Sequence, residues 1–250
     1  MLKSFIVILQ FLTRLPVNIS IEFDRKLIAK GTFFFPFVGM IIGAIAAFVY
    51  YLLSFIHLDI AALGAVFIMV AVTGGLHMDG LSDTADGFFS SRPRERILEI
   101  MKDSRVGTFG VIAIVFDILF KYVILKNLGL PEGIFAIILS CGIGRLAEAM
   151  LFSFGKSARP GGMGDLFINK GTRIYFIVSA VLFTIIGFWM AQAAFLMALG
   201  AVVIFTFMLR QYSYRMIGGL TGDVYGAGCE IGEIISMFIF WVVKRWILFL

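Results

Sequence analysis

Long apolar segments separated by short polar stretches dominate the chain from residue 33 to its end. A transmembrane helix needs about 17–25 mostly apolar residues. Seven segments meet that condition. They are residues 33–56, 60–76, 109–125, 133–154, 174–190, 193–209 and 230–250. The pattern predicts an all-α, polytopic membrane protein with about seven transmembrane helices. The last is the least regular, because Glu230 and Lys244 interrupt it.

The N-terminal segment has a different pattern. Residues 1–15 are apolar apart from a few polar positions such as Lys3 and Arg14, and Pro16 follows them. No small-residue cleavage site follows, so we do not expect a signal peptide. An amphipathic helix lying in the membrane interface is the better interpretation. No internal repeat or low-complexity linker divides the chain, so we expect one integral-membrane domain over residues 1–250.

Composition and charge agree with a membrane protein. Hydrophobic residues make up 60% and charged residues 15% of the 250 positions, and mean hydropathy is +1.00. These values exclude a water-soluble globule and a disordered chain. The net charge of +5 is too small to indicate a nucleic-acid partner. Sixteen Lys and Arg residues fall in the N-terminal segment and alternate loops and one in the remaining loops, which predicts that the basic loops are cytoplasmic.

An acidic motif follows the second predicted span. Residues 74–87 read GGLHMDGLSDTADG, in which Asp79, Asp83 and Asp86 are spaced i, i+4 and i+7 and share one face of a helix. Clustered carboxylates repel one another, and an all-oxygen site suits Mg²⁺ or Mn²⁺. A solvated group of acids beside the basic residues 92–96 is the alternative. His77 is interpreted as a hydrogen-bonding neighbour, because two histidines without a cysteine motif do not indicate a zinc site.

Further carboxylates occur in the last basic loop and just after it. Asp223, Glu230 and Glu233 again stand at the predicted inner membrane edge. Two acidic clusters separated by basic loops are typical of a site that binds a metal ion and a polyphosphate. Helix capping by Asp223 or Glu230 is the alternative.

Candidate phosphate ligands lie in the basic loops. Lys102, Asp103 and Arg105 immediately precede a span, where cations and backbone N–H groups suit a phosphate. Flanking charge of the positive-inside kind would explain the two cations equally well. Residues 155–164 form a glycine-rich loop with Lys156 and Arg159, which favours contact with an anion but lacks the spacing of a P-loop.

Charged residues within the spans are spaced for pairing. Asp117 and Lys121 are four residues apart, and Arg145 and Glu148 are three apart. Ionisable groups in a membrane should face the protein interior. For Arg145 a phosphate contact is favoured, because it lies toward the cytoplasmic half of its helix. A cation-coupled transporter is the rival class, but transporters usually carry binding groups at the midplane and often in repeats.

Five sequence blocks together resemble the cobalamin synthase family, adenosylcobinamide-GDP ribazoletransferase. The longest is GGLHMDGLSDTADGFFS followed by RERILEIMKDSRVGTFG, over residues 74–110. The others are FLTRLPV at 11–17, FPFVGMIIG at 35–43, ARPGGMG at 158–164 and GGLTGDVYGA with two following glutamates from 218. They stand in the family's order and cover nearly the whole chain.

The resemblance implies a single catalytic domain in the bacterial inner membrane, with its active site facing the cytoplasm. It implies that adenosylcobinamide-GDP is joined to α-ribazole or α-ribazole 5′-phosphate, with release of GMP and a requirement for Mg²⁺. A membrane CDP-alcohol-type phosphotransferase is the alternative, although the aspartate pattern of that class differs here. The lipid bilayer is an expected partner, and a homo-oligomer remains open.

Residue roles follow as hypotheses. We expect one or two Mg²⁺ on the metal ligands Asp79, Asp83, Asp86 and Asp223. The general base is expected to be Asp86 or Glu230. The expected phosphate or substrate contacts are His77, Lys102, Asp103, Arg105, Arg145 and Arg159.

Overall fold

The computed structural model describes residues 1–21, 24–159, 161, 165, 167–168 and 171–247. In this part every regular element is a helix, apart from one isolated bridge between Ser157 and Leu220. The helices are α1 (Leu2–Leu12), α2 (Arg25–Gly31), a 3₁₀ turn (Thr32–Phe34), α3 (Phe35–Ser54), α4 (Leu58–Thr73), α5 (Leu76–Phe88), α6 (Arg94–Ile100), α7 (Thr108–Leu128), α8 (Glu132–Phe154), α9 (Thr172–Ile217) and α10 (Gly222–Ile247).

The predicted all-α, polytopic membrane class is confirmed. Among the described residues, five helices are long and apolar enough to cross a membrane, and the number is six if the bent pair α4–α5 forms one span. The helix α9 is broken at Gln192, where φ is 48°. Phe183 and Phe195 meet edge to face across this break, with ring centroids 5.4 Å apart, so the two halves fold back on each other and run antiparallel. The count of seven spans stays a prediction, as does the single domain.

The outer surface of the bundle is apolar, whereas its centre is a buried helix. On α7, Val115, Phe116 and Leu119 are all exposed, which a bilayer explains better than water. In contrast, α8 is buried along most of its length and packs between α3, α9 and α10. The structure therefore places polar side chains of α8 inside the protein.

A sharp bend positions the acidic motif. After α4, Gly74 and Gly75 adopt φ of 65° and 74°, and α5 leaves at 90° to α4. Such values are readily available only to glycine. With 13 residues, α5 is too short to cross a bilayer. We treat it as a helix at the membrane edge and α4 as the preceding span.

The last helix differs from the prediction in where it begins, whereas the first helix agrees with it. The last helix begins at Gly222, eight residues before the predicted span, so Glu230 and Glu233 lie inside it. The charge of Lys244 in the predicted outer half of this helix is balanced by Glu132, whose Oε2 lies 2.9 Å from Lys244 Nζ. At the other end, α1 forms within the predicted amphipathic segment and buries Val7, Ile8 and Leu12. Its location in the membrane interface stays a prediction.

Candidate active site

The three aspartates of α5 form its accessible face. Asp79 is exposed and Asp83 and Asp86 are half-buried, whereas most of the residues between them are buried. The predicted i, i+4, i+7 face is therefore confirmed. Asp223 stands in the first turn of α10, which packs closely against α5. We call Asp79, Asp83, Asp86 and Asp223 the aspartate cluster.

Two glycines allow this close packing. A Cβ atom added to Gly80 would lie 2.8 Å from the carbonyl oxygen of Asp223, and one added to Gly226 would lie 3.0 Å from that of His77. Small residues at helix contacts let backbones approach closely. The packing brings together acidic segments that are separated by more than 130 positions in the sequence.

Mutual repulsion perturbs the cluster. The pKa of Asp83 is raised to about 7, first by burial and then by the charges of Asp79, Asp223 and Asp86, while Arg159 acts in the opposite direction. The guanidinium Nη1 of Arg159 lies 3.7 Å from Asp223 Oδ2. Asp223 is the one member of the cluster with an ion pair within 4 Å in the described part of the chain, and the resulting excess of negative charge favours a further cation.

The carboxylate oxygens are not yet gathered around one point. Of the His, Cys and acidic side chains that the structure describes, the set with ligand atoms within 4.8 Å of one another is His77, Glu148 and Cys229. The aspartate cluster is not such a set, in keeping with its repulsion. Three or more of its carboxylates could hold one cation only if their oxygens moved closer together.

Asp86 is held by backbone amides. Its Oδ2 accepts a hydrogen bond from Gly107 N at 2.7 Å and its Oδ1 accepts one from Gly110 N at 2.9 Å. These N–H groups open α7, where helix ends favour a carboxylate. Asp86 therefore fastens α5 to α7. Asp223 is not the cap of α10, because Thr221 Oγ1 accepts the hydrogen bond from Val224 N.

The predicted phosphate contacts fall into two groups. Arg159 lies beside the aspartate cluster and donates through Nη2 to Leu98 O at 2.6 Å. Lys102, Asp103 and Arg105 lie in the loop before α7; Arg105 forms a bidentate pair with Asp103 at 2.7 and 3.0 Å. The hydrogen bonds from Arg105 lower the pKa of Asp103 to about 2. Part of the glycine-rich loop 155–164 lies outside the described residues.

Arg145 and Glu230 belong instead to a second cluster. The buried ion-pair network consists of Asp117, Lys121, Arg145, Glu230 and Glu233. Lys121 Nζ lies 3.0 Å from Asp117 Oδ2 and 2.8 Å from Glu233 Oε2, and it also contacts Glu230. Arg145 contacts Glu233. The predicted Asp117–Lys121 pair is confirmed. The spacing also predicted a pair between Arg145 and Glu148, but Arg145 instead pairs with Glu233 of α10.

His77 forms hydrogen bonds within the protein, whereas its predicted place as a neighbour of a metal site stays a prediction. Its Nε2 lies 3.1 Å from Glu148 Oε2, and Arg145 Nη2 lies 3.4 Å from its Nδ1. His77 and Glu148 line a cavity of about 160 Å³ together with Asp79, Asp223 and Tyr225. We call it the α5–α10 cavity. Sequence spacing missed Glu148 and Tyr225, because their partners in the cavity are distant in sequence.

The fold and the site together define a class of protein: a helical membrane protein with a carboxylate-rich site beside a small cavity that is lined by both aromatic and polar side chains. A family model described as cobalamin-5-phosphate synthase matches residues 4–241. The chain belongs to this family, which confirms the resemblance seen in its sequence motifs.

Curated relatives agree over nearly the full length. An adenosylcobinamide-GDP ribazoletransferase of Clostridium novyi (strain NT) is 41% identical over 238 residues, or 94% of this chain and 95% of the relative. Proteins of the same name in Clostridium botulinum (strain Langeland) and Listeria monocytogenes are 38% and 37% identical, and each match covers 95% of this chain and 97% or 96% of the relative. No solved structure matches the chain.

Proposed function

We propose that this chain is an adenosylcobinamide-GDP ribazoletransferase, which joins adenosylcobinamide-GDP to α-ribazole or its 5′-phosphate and releases GMP. The observation that carries the proposal is the aspartate cluster, which combines two distant segments beside the α5–α10 cavity in a chain of this family. No observation favours the CDP-alcohol phosphotransferase or the transporter over this reaction.

The donor set of the aspartate cluster fits Mg²⁺. Four carboxylates supply hard oxygen ligands, and a cation would offset both the burial and the neighbouring negative charges that raise the pKa of Asp83. Asp79, Asp83, Asp86 and Asp223 would hold one or two Mg²⁺. When bound, Mg²⁺ neutralises phosphate charge and stabilises a departing phosphate. Each oxygen of Asp86 already accepts a backbone hydrogen bond at the start of α7, so Asp86 would bind the metal with its remaining lone pairs.

The neighbouring cations are suited to hold the diphosphate of the donor. Arg159 is the best placed, because it already lies beside Asp223. Lys102 and Arg105 would reach the donor from the loop before α7, with Asp103 fixing the guanidinium of Arg105. The pairing of Arg145 with Glu233 argues against a phosphate contact by Arg145, because its charge is already balanced.

The chemistry also needs a base for the attacking hydroxyl. The sequence favours Asp86 or Glu230 for this role. Both oxygens of Asp86 accept backbone hydrogen bonds, and Glu230 is paired with Lys121 in the buried ion-pair network. Neither residue lines the α5–α10 cavity.

We also propose that the protein resides in the bacterial inner membrane with its aspartate cluster facing the cytoplasm. The distribution of Lys and Arg among the loops supports this orientation. Ser90→Cys should be labelled by a membrane-impermeant thiol reagent only from the cytoplasmic side. Asn127→Cys, at the other end of α7, is the matched control and should be labelled only from outside. Both native cysteines are buried, so the background should be low.

The reaction is tested directly with purified protein in detergent or vesicles. With adenosylcobinamide-GDP, α-ribazole and Mg²⁺, we expect release of GMP in proportion to the joined product, and no release when chelator removes the metal. Wild-type protein that releases no GMP from these substrates would remove the assignment.

A further inference from the structure

The α5–α10 cavity has an unequal lining that indicates what it binds. Phe11 and Phe167 form an aromatic wall on one side, with ring centroids 4.9 Å apart. Glu148 and Tyr225 supply polar groups, and Asp79 and Asp223 join the cavity to the aspartate cluster. An apolar wall with a few placed polar groups is typical of a small-molecule site.

A chain of hydrogen bonds indicates that Glu148 acts as a hydrogen-bond acceptor. Arg145 Nη2 has hydrogens to donate and lies 3.4 Å from His77 Nδ1, so that nitrogen acts as the acceptor. The ring proton therefore sits on Nε2, which donates to Glu148 Oε2 at 3.1 Å. Glu148 thus accepts a hydrogen bond from His77 and lines the cavity, with lone pairs left to accept from a ligand.

Tyr225 provides an independent indication of a ligand. Its side chain is only 3% exposed and lines the same cavity. Its hydroxyl has no hydrogen-bond partner within the described part of the chain. A buried polar group without a partner is costly, so such groups commonly mark a site where a ligand or water completes the bonding.

We propose that the α5–α10 cavity binds the acceptor alcohol, and that Glu148 is the base that takes the proton of its hydroxyl. The inference rests on the proposed function and assigns the acceptor half of that reaction. The acceptor oxygen forms a bond to the phosphorus on the cobinamide side, and the bond from that phosphorus to the bridging oxygen breaks. The electron pair leaves with GMP, and the hydroxyl proton moves to Glu148. His77 is a positioning residue, and Tyr225 binds the acceptor.

Geometry distinguishes Glu148 from the two bases expected from the sequence. Both Asp86 oxygens are taken by amides of α7, and Glu230 lies in the buried ion-pair network. Apart from Asp79 and Asp223, which are assigned to the metal ion, Glu148 is the carboxylate that lines the α5–α10 cavity. Its one ion-pair contact within 4 Å in the described part of the chain is with His77.

Glu148→Gln is the main test, because glutamine keeps the size and can still accept from His77. We expect a fall in kcat of at least ~100-fold, as general-base catalysis commonly supplies, with unchanged affinity for adenosylcobinamide-GDP. Glu132→Gln is the matched control on the same helix, paired with Lys244 at its opposite end, and should retain activity. Equal activity of the two variants would overturn the proposal. Inactive wild-type protein would instead refute the proposed function.

Two further substitutions separate positioning from folding. His77→Phe removes the donor to Glu148 and should lower kcat about tenfold or more without raising the KM for α-ribazole, whereas His77→Gln should restore much of the loss. Equal kcat values for these two variants would remove the positioning role.

Tyr225→Phe keeps the proposal testable if Glu148→Gln fails to fold, because the hydroxyl it removes has no partner to lose. The KM for α-ribazole should rise about tenfold, on the order of one lost hydrogen bond, while the KM for adenosylcobinamide-GDP stays constant. An unchanged KM for α-ribazole would contradict an acceptor site in this cavity.

Discussion

The aspartate cluster and the buried ion-pair network contain the same kinds of side chain but differ in how their charges are balanced. In the network, Lys121 and Arg145 contact all three carboxylates, and every member is at most 5% exposed. In the aspartate cluster, Asp223 is the one carboxylate paired with a cation among the described residues, namely Arg159, and all four carboxylates remain partly accessible.

The difference distinguishes charged residues that stabilise the fold from charged residues that are available for catalysis. A buried charge must be paired, because burial without a partner is very costly. Carboxylates that stay unpaired and open to a cavity keep their capacity to bind a cation. We therefore assign the network to the stability of the bundle and the aspartate cluster to catalysis, and substitutions in the two clusters should affect different quantities.

The largest expected effect is on stability. Lys121→Met leaves Asp117 and Glu230 without their cation in the protein interior. We expect the free energy of unfolding to fall by about 3–5 kcal/mol, measured by thermal or denaturant unfolding in detergent. Lys126→Met on the same helix is the control. Its 3.5 Å pair with Asp59 is partly exposed and should be worth at most ~1 kcal/mol. Equal stability of both variants would break the comparison.

The next effect is on activity. Asp83→Asn keeps the shape of the side chain but removes its charge, and GMP release should fall at least ~100-fold if a catalytic metal is lost. Stability should not fall, because burial and like charges disfavour ionised Asp83 in the folded state. Asp59→Asn, at the opposite end of α4, should leave GMP release unchanged and lower the free energy of unfolding by at most ~1 kcal/mol, because it weakens an exposed pair with Lys126. Near-normal turnover of Asp83→Asn at equal protein concentration would remove Asp83 from the site.

A smaller effect is expected from the helix contact that assembles the cluster. Gly80→Ala places a Cβ atom 2.8 Å from the carbonyl oxygen of Asp223, so α5 and α10 must move apart. Overpacking of this kind costs about 1–3 kcal/mol, and we expect GMP release to fall about tenfold as Asp79 and Asp223 separate. Gly200→Ala on α9 meets no atom within 4 Å and serves as the control. Unchanged activity would show that the spacing of these helices is not critical.

The smallest effect concerns pH. The pKa of Asp83 is about 7 in the free protein, and only its ionised form binds a cation well. Mg²⁺ affinity should therefore be full near pH 8 and fall about tenfold by pH 6, as linkage to one proton requires. Isothermal titration calorimetry at the two values would measure it. Affinity that is equally pH-dependent in Asp83→Asn would assign the titration to another group.

Much of the fold could be predicted because membrane segments have a strong signal in sequence. Apolar runs located the long helices, and the i, i+4, i+7 spacing placed three aspartates on one face of α5. The start of α10 was missed by eight residues, because glycine and carboxylates at 222–233 do not look apolar even though tertiary packing buries them. The antiparallel break at Gln192 agrees with two separate apolar runs.

The candidate site was less predictable where partners are distant in sequence. The Asp117–Lys121 pair follows from local spacing, and the structure contains it. Arg145 and Glu148 also have a suitable spacing, but tertiary contacts with Glu233 and His77 take precedence. No local sequence pattern predicts that Glu148 and Tyr225 share a cavity with Asp223, because this depends on how α5, α8 and α10 pack together.

Metal binding tests the central claim most directly, and Mn²⁺ provides a spectroscopic substitute for Mg²⁺. Electron paramagnetic resonance can measure Mn²⁺ affinity for wild-type protein, Asp83→Asn and Asp223→Asn in the presence of adenosylcobinamide-GDP. If the aspartates of α5 and α10 act on one ion, both substitutions should weaken binding at least tenfold, and wild-type spectra should show coupling to phosphorus. Wild-type affinity in Asp223→Asn would contradict a site shared by the two helices.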